Sequence, residues 1–440
     1  MADIKKDYLQ EYDRAAEAEK FPLVKKWMDT EPRSFFKQLR EERPILVTPL
    51  CTLVSLFNDV RDVLQMPKIF TVALYKSKMG DYLMTHDDDA IHSREKPIMQ
   101  AMLNRDDLPD VRRIVARNAK TILDSAEGTI EAAYHYCRAV PASLVQDYFG
   151  LDGVERKDLV DWSYWTQYDS FHNHFFNLLS EKESRYFSDK KEAVSKKFTA
   201  YMTDLILRKT VKAKAEKATG FLLLQKLHRL FGSKKYELTD DIVTRMVRAS
   251  YPDALQFPIQ RLGLNAGGLL IGAIETTAQA VAQVIQMFIQ NPTYHVMVKK
   301  AALSEDVSAF DGMVWEALRF VPIAPFLFRR TAASYTLAKG TAHETTIPAG
   351  TNVLALTQSA MFDPYAFENP DQFLPERNWY HHFNFGFGPH ECLGKYVAMV
   401  MIPEMVRQIF IRPHLQAKTS IDYKGGPFPE HYMLSWGGGA

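Results

Sequence analysis

Phe385-Gly-Phe-Gly-Pro-His-Glu-Cys-Leu-Gly394 is the stretch that decides how this chain of 440 residues reads. Cys392 stands in a loop rich in glycine and aromatic residues. The residues after it, Lys395 to Phe410, repeat apolar positions at helical spacing, with Pro403 as a potential kink. A cysteine where such a loop opens into a helix meets free N–H groups and the positive end of the helix dipole, which favour thiolate over thiol. Glycine lets the loop backbone approach a sulfur closely. A lone thiolate held this way suits a redox thiol, a catalytic nucleophile or the axial ligand of a haem iron.

The rest of the composition narrows the setting. Hydrophobic residues make up 46% of the chain and charged residues 24%, enough for a large core. A net charge of +1 gives no general basis for nucleic-acid binding. Cys51, Cys137 and Cys392 are too few for a disulfide framework and fit a reducing compartment; Cys51 and Cys137 lie among apolar neighbours and read as inert core thiols. The first twenty residues are polar, with no apolar run of signal or membrane length. The expectation is a cytoplasmic protein that does not engage a membrane, with residues 1–20 as an N-terminal arm and 21–440 as the body of the chain.

Glu31 to Glu42 reads as a helix, and Pro44–Thr48 with Cys51–Phe57 as strands of a small sheet. Val60 to about Phe328 is mostly helical. Strand-like runs return at Thr345–Leu356 around a Pro-Ala-Gly turn, and Ile421–Ala440 reads as short strands and turns. The fold class is therefore mainly α with small β-sheets. The longest helical pattern runs from Pro258 to Gln290, apolar around most of its circumference, as for a buried central helix. Gly263, Gly267, Gly268 and Gly272 within it imply close approach to its backbone. Glu275-Thr276-Thr277 places a carboxylate and hydroxyls in the same buried helix, which is costly unless they are partnered, and a threonine there can bend it. Glu316 and Arg319 share a helix face at i, i+3, and Arg377 can complete a buried charged triad with them. The basic run Arg208–Lys217 reads as a solvated face. His172 and His174, two apart, do not face each other on a helix and make no metal pair.

Phe385-x-x-Gly388-x-His390-x-Cys392-x-Gly394 resembles the haem-thiolate signature of the cytochrome P-450 superfamily, soluble bacterial type. Glu316-x-x-Arg319 is similar to that family's helix pair, Arg377 to the loop arginine that locks it, and Gly272-Ala-Ile-Glu-Thr-Thr277 to its oxygen-activation motif, with Ala273 where glycine is usual. The resemblance extends over about residues 20–440. It implies a single-domain fold around a buried haem b (iron protoporphyrin IX), with Cys392 as the iron ligand and Phe385 beside the thiolate. Glu275 and Thr276 match the acid–alcohol pair that delivers protons during oxygen activation. His390, His92, Lys96 and Arg330 match positions that hold the haem carboxylates, with Arg329 one register away and Lys96 standing where the family has arginine. Phe326, Leu327 and Phe328 resemble a pocket-lining segment, and the aromatic stretch Tyr164–Phe175 falls where the pocket lid lies.

The implied reaction is monooxygenation of a small-to-medium, mostly apolar organic molecule by O2, as hydroxylation or oxidative O-demethylation. No fused flavin or iron–sulfur module is expected, so the implied electron donors are a ferredoxin and its reductase. The alternatives are a peroxide-driven peroxygenase, against which the Glu275–Thr276 pair weighs, and a non-catalytic haem-thiolate sensor, which would need an output domain.

Overall fold

Short runs rich in β-branched and aliphatic residues within Pro44–Phe57 and Leu327–Leu356 supply four strands of the larger sheet. The computed structural model describes residues 6–87, 89–218, 241–378 and 381–437, with the backbone alone for 215–218. It is mainly helical with small sheets, as expected. The chain divides into two compact units, Met1–His92 with Ser170–Glu183 and Leu318–Cys392, and Ser93–Asp169 with Ser184–Ala317 and Leu393–Ala440.

With strands numbered along the chain, the first unit holds β1 (Ile45–Val47), β2 (Thr52–Val54), β3 (Phe70–Thr71), β5 (Leu327–Thr331) and β8 (Asn352–Ala355) in one sheet of order β1-β2-β8-β5-β3. Only β2 and β8 run parallel. Alternate residues feed two apolar clusters. Leu46, Leu53, Phe328 and Leu354 join one; Ile45, Val54, Val353 and Ala355 join the other. The helices Tyr8–Arg14, Glu17–Thr30 and Pro32–Glu42 pack into the first cluster through residues such as Tyr8, Leu9, Trp27, Phe35 and Leu39. Tyr8, Leu9 and Tyr12, within the expected arm, are thus buried. The run Thr345–Leu356 splits between two sheets, because β7 (Thr345–Ile347) pairs with β6 (Tyr335–Leu337) while β8 joins the larger one.

The second unit is helical, with a three-stranded sheet of β4 (Thr129–Glu131), β10 (Met433–Ser435) and β9 (Gln416–Ala417). The helix after the cysteine loop spans Lys395–Phe410 with Pro403 inside it, as the sequence implies. It packs on the helix Leu108–Ser125 and on Glu275–Gln290. The long apolar pattern is two helices, Gln260–Ala273 and Glu275–Gln290, separated at Ile274. By composition Gln260–Gln290 is long and apolar enough to cross a membrane, but 61% of its most apolar window is buried in the protein, as in a core helix. Of its glycines, Gly267 shows the close approach expected: a Cβ there would lie 2.9 Å from the Phe198 ring. Asn291 ends this pattern and caps the next helix, Pro292–Ala302, by accepting from the Tyr294 N–H. Two expectations change. The longest helix is Glu181–Ala218, at 38 residues. Lys209 in the basic run is not solvated but buried, paired with Asp152 at 2.6 Å and Asp241 at 2.7 Å.

Candidate active site

The cysteine loop is built by local hydrogen bonds and two left-handed glycines. Gly386 N–H donates to Phe383 O at 2.9 Å, Glu391 N–H to Gly388 O at 3.0 Å and Cys392 N–H to Phe385 O at 2.8 Å. Gly386 has φ +70° and Gly388 φ +71°, a region that L side chains adopt at a cost. A Cβ on Gly388 would also come within 3.0 Å of Gln65 Cα and Leu64 O, at the end of the helix Phe57–Gln65. Glycine at 388 is therefore required twice, for its dihedral and for the close approach. Phe383 anchors the loop in the core, its ring 5.0 Å from Phe57. The outcome for the three cysteines differs. Cys51 and Cys137 are buried and their thiols pushed up by desolvation, Cys51 to about 12, whereas Cys392 is exposed two residues before Gly394, the N-cap of the helix Lys395–Phe410.

Three basic groups gather in the same unit. The His390 side chain is 5% exposed and its Nε2 lies 3.9 Å from Asp87 Oδ1. Its ring is 4.8 Å from that of His92. Arg329 is buried, its Nη1 donating to Phe328 O at 2.9 Å, with Tyr75 and Asp87 facing it. Arg330, the residue expected here, points the other way. Neighbouring strand residues face opposite sides, and Arg330 is exposed while Arg329 is buried. Arg329, one register away, is thus the inward-facing arginine of the pair, and the expectation for Arg330 is corrected to it as the candidate. Lys96 stands one turn after His92 on the helix Ala90–Met102, and both are buried. Phe328, expected to line a pocket, instead stacks on Tyr75 at 4.1 Å within the core.

In the second unit, the break at Ile274 separates Gly272 from Glu275 and Thr276. Thr276 Oγ1 donates back to Gly272 O at 2.5 Å, the bond through which a threonine bends a helix. The Glu275 carboxylate is fully buried and accepts from Arg138 Nε at 3.0 and 2.9 Å. Arg138 also reaches Glu430 at 3.4 Å, and Tyr164 Oη donates to Glu430 at 2.9 Å. Burial raises the Glu275 carboxyl to about 7 against the downward pull of Arg138. The acid and the alcohol thus have different partners. Arg138 ends a π-helical turn, Ala133–Arg138. The sequence reading missed it, although an arginine within the apolar run Tyr136–Leu144 was the signal. The aromatic lid candidates are largely committed to packing: Tyr168 stacks on Phe187 at 3.9 Å, and Trp165 meets Tyr186 edge-on at 5.9 Å. The histidines His172 and His174 form no metal group among the described residues.

The donor set fits a haem. One thiol is exposed while its two counterparts are buried, and Arg329 Nε is buried without a hydrogen-bond partner among the described atoms. Beside Thr276, Gly272 is exposed, and a Cβ built on it would meet no atom within 4 Å apart from its own helix, so the helix surface there is open.

The cytochrome P450 family model matches residues 71–413, more than three quarters of the chain. The chain belongs to the cytochrome P450 family. It is an oxidoreductase with haem b as its cofactor, a monooxygenase that uses O2 and an electron donor. Among curated cytochrome P450 relatives, it is 22% identical over 387 residues to the steroid C26-monooxygenase of Mycobacterium tuberculosis, covering 87% of this chain and 86% of that one. It is 30% identical to the P450 monooxygenase PikC of Streptomyces venezuelae over 187 residues, 42% of each chain. The fold matches the P450 structure CYP109Q5 from Chondromyces apiculatus with a TM-score of 0.71 at 18% identity, covering 93% of this chain and 96% of that one. It matches CYP109E1 from Bacillus megaterium, solved in complex with testosterone, with a TM-score of 0.71 at 18% identity, covering 92% and 99%.

Proposed function

We propose that this P450 oxidises a small-to-medium, mostly apolar organic substrate, by hydroxylation or by oxidative O-demethylation, with electrons from a separate ferredoxin and ferredoxin reductase in the cytoplasm. The observation that carries the reading is the exposed Cys392 in a glycine-shaped loop, set against two buried, inert cysteines. The steroid-oxidising relative and the testosterone-bound structural neighbour support an apolar substrate class.

The roles divide among the chain's own residues. Cys392 ligates the iron as thiolate, and Phe385, whose carbonyl accepts from the Cys392 N–H, limits water around the sulfur. Arg329, His390, His92 and Lys96 hold the haem carboxylates. The haem, when bound through a thiolate, supplies the activation of O2 and the transfer of one oxygen atom to the substrate. Glu275 takes and gives a proton near neutral pH from its buried position. The Thr276 hydroxyl, bonded to the Gly272 carbonyl, keeps the helix bent and passes the proton on.

The test is a reconstituted assay. Wild-type protein with ferredoxin, its reductase and O2 converts an apolar substrate found by its spin-state shift, and peroxide alone does not replace the electron donors. Cys392→Ala loses the strongly red-shifted Soret band of the reduced carbonyl complex. A wild-type band in that variant would overturn the ligand assignment.

A further inference from the structure

One anionic side chain stands among the groups assigned to the haem carboxylates. Asp87 Oδ1 accepts from Val72 N–H at 2.8 Å and lies 3.9 Å from His390 Nε2. Arg329 acts on Asp87 electrostatically, and the Asp87 side chain is about one third exposed. We propose that Asp87 holds a proton whenever a haem carboxylate lies against Arg329 and His390, so that haem binding takes up a proton at this residue. The inference rests on the assignment of Arg329 and His390 to that carboxylate.

The argument is one of charge. Arg329 is cationic at every working pH, whereas the charge of an imidazole depends on pH. An ionised Asp87 already uses part of the field of this pair. A second carboxylate at the same cations raises the cost of ionising either one, as in any pair of acids that share a site. The haem carboxylate is the ligand; Asp87 is the group free to take the proton. The other groups that face Asp87 are the Val72 N–H, and His86 and Asp89 on its own loop. His86 is bonded to Asp81 at 2.6 Å and to Asp89 at 2.7 Å, so its field is shared with those two carboxylates. The His92 ring meets that of His390, and Tyr75 faces Arg329. Burial already moves the Asp87 carboxyl upward from its ordinary range, against the Val72 hydrogen bond and the Arg329 charge, so protonation there costs less than at a solvated aspartate.

The experiment follows haem transfer from the holoprotein to an apomyoglobin acceptor between about pH 6 and about pH 9, where a single linked proton changes affinity by up to about tenfold per pH unit. Wild-type release is expected to accelerate with pH by about tenfold over this range, and release from Asp87→Asn to change by less than about twofold. Asp87→Ser replaces it if the amide variant loses its native circular dichroism. Profiles that rise in parallel for wild type and variant would overturn the inference, since another group would then carry the proton. So would a variant that releases haem faster than wild type at every pH, because Asp87 would then be holding the haem rather than yielding to it. Arg329→Ala and His390→Ala separate the two levels. If both speed haem release while the Asp87 profiles run parallel, only the proton assignment fails. If neither speeds release, the carboxylate contacts fail and Asp87 with them.

Discussion

Glu275 is bonded to an arginine and still holds a proton near neutral pH, because burial outweighs the attraction of Arg138. The sign of the consequence follows directly. The fold favours the protonated carboxyl, so the contribution of Glu275 to stability is complete below the ordinary carboxylate value of 4.5 and is lost as pH rises through about 7. Its capacity to donate a proton is lost over the same window. Product formed per electron consumed is therefore expected to fall as pH rises through about 7, measured as the ratio of product to reduced nicotinamide oxidised. Glu275→Gln should flatten that profile at a low ratio; a variant that keeps the wild-type slope would assign the proton route elsewhere. The motif position alone identifies Glu275 as a candidate. Its partner Arg138 stands 137 residues earlier, a separation that no local pattern encodes.

At the scale of elements, two features shape the chemistry: the break between Gln260–Ala273 and Glu275–Gln290, and the cysteine loop. Apolar periodicity runs on through residue 274 without a sign of the break. The threonine that bonds back to Gly272 is its local cause, and it was legible as a residue type, although not as a division into two helices. The cysteine loop was more fully readable, because glycine and proline restrict the backbone whatever surrounds it. Even so, the reason for Gly388 lies partly in the helix Phe57–Gln65, which leaves no space for a Cβ. Gly388→Ala combines a left-handed alanine with a clash against backbone and is expected to cost ~1–3 kcal/mol. Thermal unfolding with haem retention measures it. Unchanged stability would show that the loop can move away from that helix. The strand Leu327–Thr331 teaches the converse: two adjacent arginines are equivalent in sequence, and only the pairing of Arg329 with Val353 and Arg330 with Asn352 shows which one is buried.

Across the whole molecule, segments far apart in the chain hold each other in place. β2 pairs in parallel with β8, joining residues 52–54 to 353–355. Arg319 is fully buried and donates to Met361 O at 3.0 Å, Pro370 O at 2.7 Å and Gln372 O at 3.0 Å. Arg377 grips the same loop through Glu368 O at 2.6 Å, Asn369 O at 2.7 Å and Gln372 O at 3.3 Å. The two arginines thus fix the irregular segment leading to the cysteine loop, which has little regular structure of its own. Arg319→Ala would remove the buried cation that holds the carbonyls of Met361, Pro370 and Gln372, of which Arg377 reaches only the last, and is expected to cost ~3–5 kcal/mol, as loss of one partner from a buried charged network does. The yield of soluble, haem-loaded protein measures this; a normal yield would show that Arg377 alone suffices.

By itself the sequence determined the family and the mainly helical class, and it supplied Cys392 as the candidate thiolate ligand and Glu275 and Thr276 as the candidate acid and alcohol. Each of these is written in short motifs whose backbone or charge requirements are local. Tertiary structure decided the rest: that Arg329 rather than Arg330 faces inward, that Arg138 and Glu430 surround Glu275, that Lys209 is buried, and that Asp87 stands beside His390. The physical reason is that burial and charge pairing depend on which distant residues meet. The sequence around Cys392 specifies the shape of its loop closely, because the left-handed turns at Gly386 and Gly388 favour glycine. The groups that tune its chemistry are set by contacts, and they became visible only once the chain was packed.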